Sequence, residues 1–408
     1  MPDVALLALV TVAIAIGFFL GRRRGSRSAA ELFQLPFNRK HYFTGLNYLL
    51  NEEPDKAVDA FVESLEVNAE TLETHLALGK MMRKQGQVDR AIRIHQNLLA
   101  RHTLNEQHQH QAHLELARDF MVAGLLDRAE LLLKEVISES VELRGEAQRF
   151  LLDIFQDERE WQDAIQVAQA LTQSKYMKAN PLQRRELLTT ISHFYCELVE
   201  EAKAGSQVAD VRGYLDRALS FDKHSVRALL LLGAFECEQQ RPKQAIKTLN
   251  RIAQQSPDYY IESLPELFRA YLLQDPVRGF DAFVDQVNQH VQQRPCTACL
   301  LFLIDRLLER AADEPVRQEQ AQTLLVEFLD AHPSIDGVHR ALSMQAAGLE
   351  GKLAHNIQSL DVLLTELLKK RTLYRCGQCG FAGRQLHWHC PGCRGWDKMQ
   401  RIKRNDTD

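Results

Sequence analysis

The sequence predicts an all-α chain: helix pairs stacked as repeats, one apolar helix ahead of them and a small metal-held ribbon behind. Three observations carry that reading. Glycine (20) and proline (12) are scarce among 408 residues, and long Ala-, Leu-, Glu-, Gln- and Arg-rich stretches with few breakers favour helix. Small residues return at a fixed spacing through the middle of the chain. Two Cys-x-x-Cys pairs stand close together near the C-terminus. With 45% apolar and 25% charged residues the chain has ample material for a buried core, and its length suits two or three domains.

Residues 1–21 read as an uncleaved transmembrane anchor. Val4 to Leu20, VALLALVTVAIAIGFFL, holds no charge. Such a helix spans about 26 Å, slightly under a hydrocarbon core of roughly 30 Å, a deficit that flanking arginines absorb by snorkelling. A cleaved signal peptide needs positive charge before the apolar run and small residues at a cleavage site. Here Asp3 precedes the run, while Arg22, Arg23, Arg24 and Arg27 follow it. Positive charge on that flank holds it on the cytoplasmic side, so the expected topology is single-pass with the bulk of the chain cytoplasmic. Residues 22–40 read as a basic juxtamembrane linker able to lie along anionic headgroups.

Residues 41–255 read as repeats. Small residues recur in pairs twelve apart: Gly45 with Ala57, Gly79 with Ala91, Ala117 with Ala129, and Gly233 with Ala245. The first two pairs are offset by 34 residues, the tetratricopeptide period. Each pair marks two antiparallel helices at the points where they must approach closely. The unit is clearest in 41–65, where Phe61 follows Ala57 by four, and it recurs in 74–99 and 114–137. Trp161, Ala164 and Ala168 place a further helix pair at about 146–172. Over 256–370 the windows stay amphipathic but the small-residue register slips, which predicts degenerate helical repeats. Stacked repeats build a superhelix with an extended concave face, suited to a peptide or partner domain. They do not converge polar groups on one reacting atom as a catalytic cleft must.

Residues 371–404 read as a metal-binding domain. In CGQCGFAGRQLHWHCPGC, Cys376, Cys379, Cys390 and Cys393 form two knuckles separated by ten residues. That double spacing places four thiolates around one ion, iron of the rubredoxin type or zinc, and neighbouring glycines let backbone N–H groups turn towards sulfur. With all four positions filled by protein, the expected role is structural or electron-transferring. His387 and His389 offer alternate ligands. With four cysteines present, they and Trp388 are expected to form the ribbon's small core instead. The segment from Lys369 to Arg404 holds ten basic residues and one acid, a net +9 against −4 for the whole chain, so the remainder carries −13. A basic tail beside an acidic body is expected to dock on it.

Weaker constellations have plainer readings. Cys296 and Cys299 form a third Cys-x-x-Cys, but no βαβ context surrounds them, so they read as helix cysteines. His108, His110 and His113 read as a solvated helix start, since no second ligand cluster matches them. No P-loop, dinucleotide-binding glycine pattern, nucleophile elbow or zinc-protease motif occurs, and the chain is expected not to be an enzyme.

The combination of anchor, repeats and terminal knuckle pair resembles the lipopolysaccharide assembly protein B family of Gram-negative bacteria. The resemblance covers essentially the whole chain and shows in DRAIRIHQNLL (89–99), ARDFMVAGLLDRAE (117–130), HFYCEL (193–198) and YRCGQCGF…HWHCPGCRGW (374–396). It implies a regulator of lipopolysaccharide supply at the inner membrane, acting with the membrane protease FtsH to promote degradation of the lipid A-committing deacetylase and linked to other assembly proteins. It also implies Cys376, Cys379, Cys390 and Cys393 as the metal ligands. An electron-transfer module docked on repeats is the alternative. A nucleic-acid-binding ribbon is not expected, because phosphate contacts alone bind weakly at physiological salt.

Overall fold

The computed structural model describes residues 72–402 apart from 101–103, 206–207, 312–313 and 347–351, together with isolated positions 44, 47, 48 and 56. The expected anchor and linker, and nearly all of the first repeat with Gly45, Ala57 and Phe61, lie outside the described residues. Among the described residues no helix is long and apolar enough to cross a membrane.

The chain divides between Ile154 and Phe155 into two compact units. The first holds α1 (Leu72–Lys84), α2 (Val88–Leu99), α3 (Glu106–Val122), α4 (Leu126–Glu139) and most of α5 (Arg144–Glu158). The second continues with α6 (Trp161–Thr172), the short α7 (Lys175–Ala179), α8 (Pro181–Ala204), α9 (Val208–Phe221), α10 (Val226–Glu238) and α11 (Pro242–Gln255). A 3-10 turn (Pro257–Tyr259) then leads into α12 (Tyr260–Gln274), α13 (Gly279–Gln293), α14 (Thr297–Arg310), α15 (Val316–Ala331), α16 (Ile335–Ala346) and α17 (Lys352–Lys370). Neighbouring helices pack as pairs, α1 on α2, α3 on α4, α8 on α9, α10 on α11 and onward to α16 on α17. This is the tetratricopeptide-like all-α architecture that the spacing predicts.

The repeat is visible in the backbone as a recurring turn. After α1 the N–H of Gln87 donates to the Met82 carbonyl, after α3 Leu125 to Phe120, after α5 Glu160 to Phe155 and after α10 Arg241 to Glu236, each at 2.9 Å. These bonds close a Schellman motif, whose penultimate residue must take a left-handed conformation. Gly86 (φ 80) and Gly124 (φ 73) fill that position in two turns, Arg159 (φ 60) and Gln240 (φ 56) in the other two. Only the glycines are signalled in the sequence.

The small residues explain how the pairs close. A Cβ on Gly79 would lie 2.3 Å from His95 Nε2, and one on Gly233 would lie 2.5 Å from Leu249 Cδ2. In both repeats the missing methyl admits the side chain sixteen residues later, one helical turn beyond the paired alanine. Ala117 and Leu133 stand in the same relation, and both are fully buried. The spacing of twelve therefore marks the pair, while the close contact falls four residues further on.

Two expectations meet the structure differently, the degenerate repeats over 256–370 appearing as paired helices and the histidine-rich helix start needing correction. The helices beyond residue 255 keep pairing although the small-residue register is lost. Aromatic contacts such as Phe268 with Phe283, ring centroids 5.1 Å apart, fill the space, and the close approach moves to the connection, where a Cβ on Gly279 would lie 2.1 Å from the Tyr271 carbonyl oxygen. The histidines near the start of α3 are also less solvated than expected. Asn105 caps that helix by accepting from the His108 N–H at 2.8 Å, but His110 and His113 turn onto α4, pairing with Glu139 at 3.0 Å and Glu135 at 3.6 Å.

Candidate metal centre

After α17 the chain forms a three-stranded antiparallel sheet in the order β2–β1–β3, from β1 (Tyr374–Cys376), β2 (Ala382–Gly383) and β3 (Met399–Arg401). Strands this short bury little, and the ribbon's own core is Tyr374, Cys376, Cys390 and Met399, flanked by Leu373, Phe381 and Leu386. Something besides apolar burial has to hold it.

The two knuckles repeat one backbone pattern. In the first, Cys376 N–H donates to the Phe381 carbonyl (2.7 Å) and Gly380 N–H to the Cys376 carbonyl (3.0 Å). In the second, Cys390 donates to Gly395 (3.0 Å) and Arg394 to Cys390 (2.8 Å). The residue after each second cysteine is left-handed, Gly380 at φ 78 and Arg394 at φ 57. Gly392 keeps the loops close where they meet: a Cβ there would lie 3.1 Å from Cys379 Sγ, tighter than ordinary contact.

These turns bring the four sulfurs of Cys376, Cys379, Cys390 and Cys393 within 4.8 Å of one another, a grouping found nowhere else among the described residues. Cys376 Sγ lies 3.7 Å from Cys393 Sγ, and Cys379 Sγ 3.6 Å from Cys390 Sγ. A tetrahedral site with metal–sulfur bonds of about 2.3 Å has edges of roughly 3.8 Å. The donor set therefore fits one thiophilic ion such as zinc or iron, with a structural or one-electron role and no open position for water. His387 and His389 stand outside the cluster.

The protonation of the cluster points the same way. Desolvation opposes ionisation of Cys376, yet the N–H groups of Cys379 and Gln378 pull its thiol down to about 6. The Gly395 N–H and desolvation act in opposite senses on Cys393, and the neighbouring cysteines push it up to about 12. The Phe381 N–H pulls the Cys379 thiol down, but its sulfur contacts with Cys390 and Cys376 outweigh that pull and raise it.

The structure also shows a seat for the ribbon that the sequence reading missed. Trp396 is buried against the repeats, its ring edge-on to Trp161 (6.2 Å) and Phe194 (5.8 Å) and stacked between His193 (5.1 Å) and His389 (4.4 Å). Its indole N–H donates to Gln156 Oε1 at 2.9 Å. Trp388 stacks on Tyr259, whose hydroxyl donates to the Met399 carbonyl at 2.6 Å. The Tyr374 hydroxyl bonds Glu262. At the rim, Arg394 pairs with Asp157 and Lys398 with Glu186, each at 2.8 Å. The expected docking of basic tail on acidic body is present, but both ion pairs are exposed and worth less than about 1 kcal/mol each. The aromatic centre, with Trp396, Trp161 and Phe194 buried, contributes more. Trp388 and His389 thus face the repeats rather than forming the ribbon's own core.

Two ionisable groups at this seat are displaced from their ordinary ranges. Desolvation, helped by Arg227 and His389, pushes His193 down to about 3, so it is neutral against the tryptophans. Desolvation and the nearby Asp222 raise Asp397 to about 6, against the pull of Lys398.

Known proteins resemble this chain in the ribbon and along its whole length. Residues 374–401 match a family described as a rubredoxin metal binding domain. The chain is 32% identical over 401 residues to lipopolysaccharide assembly protein B of Escherichia coli strain K12, covering 98% of each protein. It is 31% identical over 410 residues, again with 98% coverage of each, to the protein of that name from Haemophilus influenzae. Among solved structures, the C-terminal part of a TPR repeat-containing protein from Cytophaga hutchinsonii aligns with 69% of this chain and 98% of its own at 12% identity, with a TM-score of 0.36. With relatedness running the length of both proteins and the four-cysteine ribbon in place, this chain belongs to the lipopolysaccharide assembly protein B family.

Proposed function

We propose that this chain is a non-enzymatic adaptor for lipopolysaccharide assembly, anchored in the inner membrane by residues 1–21 with its repeats on the cytoplasmic side. In this reading it brings the membrane protease FtsH together with the deacetylase that commits sugar nucleotide to lipid A, and it coordinates later assembly proteins. The observation that carries the proposal is relatedness over 98% of both chains to proteins named for lipopolysaccharide assembly. Stacked helix pairs supply partner surface rather than a reaction cleft, and an anchor confines adaptor, protease and client to one plane, raising their effective concentration. Cys376, Cys379, Cys390 and Cys393 hold one iron or zinc ion that fixes the ribbon, and so keeps its aromatic face ready for the seat. Expression in a host lacking its relative tests this: the deacetylase half-life should shorten, and crosslinking should recover protease and deacetylase together. An unchanged half-life with neither protein recovered would sink the proposal.

The exposed Cys379 is the one feature favouring an electron-transfer centre. A reversible visible chromophore on the purified protein supports that reading, and a colourless zinc protein ends it.

A further inference from the structure

The third Cys-x-x-Cys, read from sequence as two helix cysteines, has a different arrangement in the fold. Cys296 is not inside a helix. It is the N-cap of α14, in extended backbone (φ −139, ψ 99), and its sulfur stands where a capping oxygen usually does, accepting the Cys299 N–H at 3.4 Å. Cys299 occupies the first turn, and its thiol points back at Cys296 Sγ from 2.8 Å. That separation is well inside ordinary sulfur–sulfur contact and leaves less than about 1 Å to a covalent bond. Cys296 is part-exposed whereas Cys299 is 1% exposed. Of the two residues, Cys296 is the more accessible to a reagent.

We infer that Cys296 and Cys299 form a redox-active dithiol, Cys296 attacking and Cys299 resolving, that closes to an intramolecular disulfide by exchange with a low-molecular-weight disulfide. Three features of the site favour the thiolate on Cys296. The Cys299 thiol and the backbone N–H groups of Cys299 and Ala298 all donate to it, the N-terminal end of a 14-residue helix lies beneath it, and Arg401 on β3 adds positive charge. The Cys299 thiol bond is the largest of these influences, and against desolvation they bring Cys296 down to about 6. Cys299 moves the opposite way, pushed up by the same sulfur contact and by burial. Cys196 and Cys237, buried without such donors, are raised by desolvation to about 12 and about 11.

The chemistry balances with the named oxidant. The Cys296 thiolate attacks one sulfur of the small disulfide RSSR, forming Cys296–S–S–R and expelling RS⁻. Cys299 gives up its proton and attacks Cys296 Sγ, expelling the second RS⁻. Two electrons pass from the dithiol to RSSR, and the products are one protein disulfide and two small thiols.

The test uses the full-length, metal-loaded chain and oxidised glutathione at pH 7, with acid quenching, alkylation and mass spectrometry. Residues 279–306, bounded by arginines, carry Cys296 and Cys299 and no other cysteine. In the wild type this segment should lose two hydrogens, at least tenfold faster than Cys196 or Cys237 acquires glutathione. Cys299→Ser should trap one glutathione on Cys296, and Cys296→Ser should leave Cys299 unreacted on the same timescale. The inference fails if the wild-type segment stays reduced, or if Cys299 in Cys296→Ser reacts as fast as Cys296 in Cys299→Ser. The wild-type measurement decides alone should either variant fail to fold.

Discussion

Two stretches of similar length, the helix pair α10–α11 (226–255) and the ribbon (374–401), are held by different physics. The helix pair satisfies its backbone locally and closes one glycine against one leucine, Gly233 on Leu249. Val226, Leu229, Leu249 and Ile252 then join a core that runs on through α15. The ribbon has strands of three, two and three residues and a core of four side chains. Its order comes from outside itself, from an ion on four sulfurs and from a seat contributed by distant helices. Repeats propagate stability from neighbour to neighbour, while the ribbon borrows it at two places.

The sharpest way to break that comparison is to remove the ion. Chelation, or Cys390→Ser, should unfold 374–401, with an effect on the order of 10 kcal/mol on the ribbon itself. Far-UV circular dichroism should barely change, while Trp388 and Trp396 fluorescence shifts to that of exposed indole. Loss of helix in parallel would show that the repeats depend on the ribbon as well.

Removing the seat comes next. Trp396→Ala should cost about 3–5 kcal/mol of docking, read as protease sensitivity near 371–373 with the metal content of the wild type. A variant that loses the metal together with docking would merge the two supports into one.

Acid should separate two opposing titrations at that seat. His193, folded at about 3 against an ordinary 6.5, leaves the unfolded chain binding more protons below about 6.5, so its contribution falls as pH drops. From pH 7 to 5 the loss is about 2 kcal/mol. Asp397, raised to about 6 from 3.8, acts with the opposite sign between those values. Urea melts of unit two should therefore show His193→Phe less acid-sensitive than the wild type and Asp397→Asn more so. Identical pH slopes in all three would remove both groups from the account.

The smallest effect sharpens the helical side. Gln240 takes at φ 56 the turn position that Gly86 and Gly124 fill elsewhere. Gln240→Gly should gain about 0.5–1 kcal/mol, the left-handed penalty less the added chain entropy, visible as a higher urea midpoint. A lower midpoint would mean that the Gln240 side chain matters more than its backbone.

What was legible in the sequence was local. Cys376, Cys379, Cys390 and Cys393 lie within eighteen residues, and their spacing encodes the knuckles directly. Gly86 and Gly124 announce their turns, whereas Arg159 and Gln240 make the same turn under tertiary constraint and leave no signal. The spacing of twelve located the helix pairs but not the atoms in contact, because side chains lean a full turn along the helix. The seat was illegible for a different reason. Trp161, His193 and Phe194 look like ordinary repeat residues until a segment more than two hundred residues away arrives to cover them. Arg394 was similarly opaque: it takes the left-handed position that Gly380 fills in the other knuckle, and its guanidinium meets Asp157.

That separation has a consequence in time. Trp396 meets Gln156 across 240 residues of chain. At roughly 5–20 residues per second of synthesis, the aromatic seat around Trp161 is made about 12–48 s before its cover leaves the ribosome. For that interval the growing chain carries an uncovered aromatic patch.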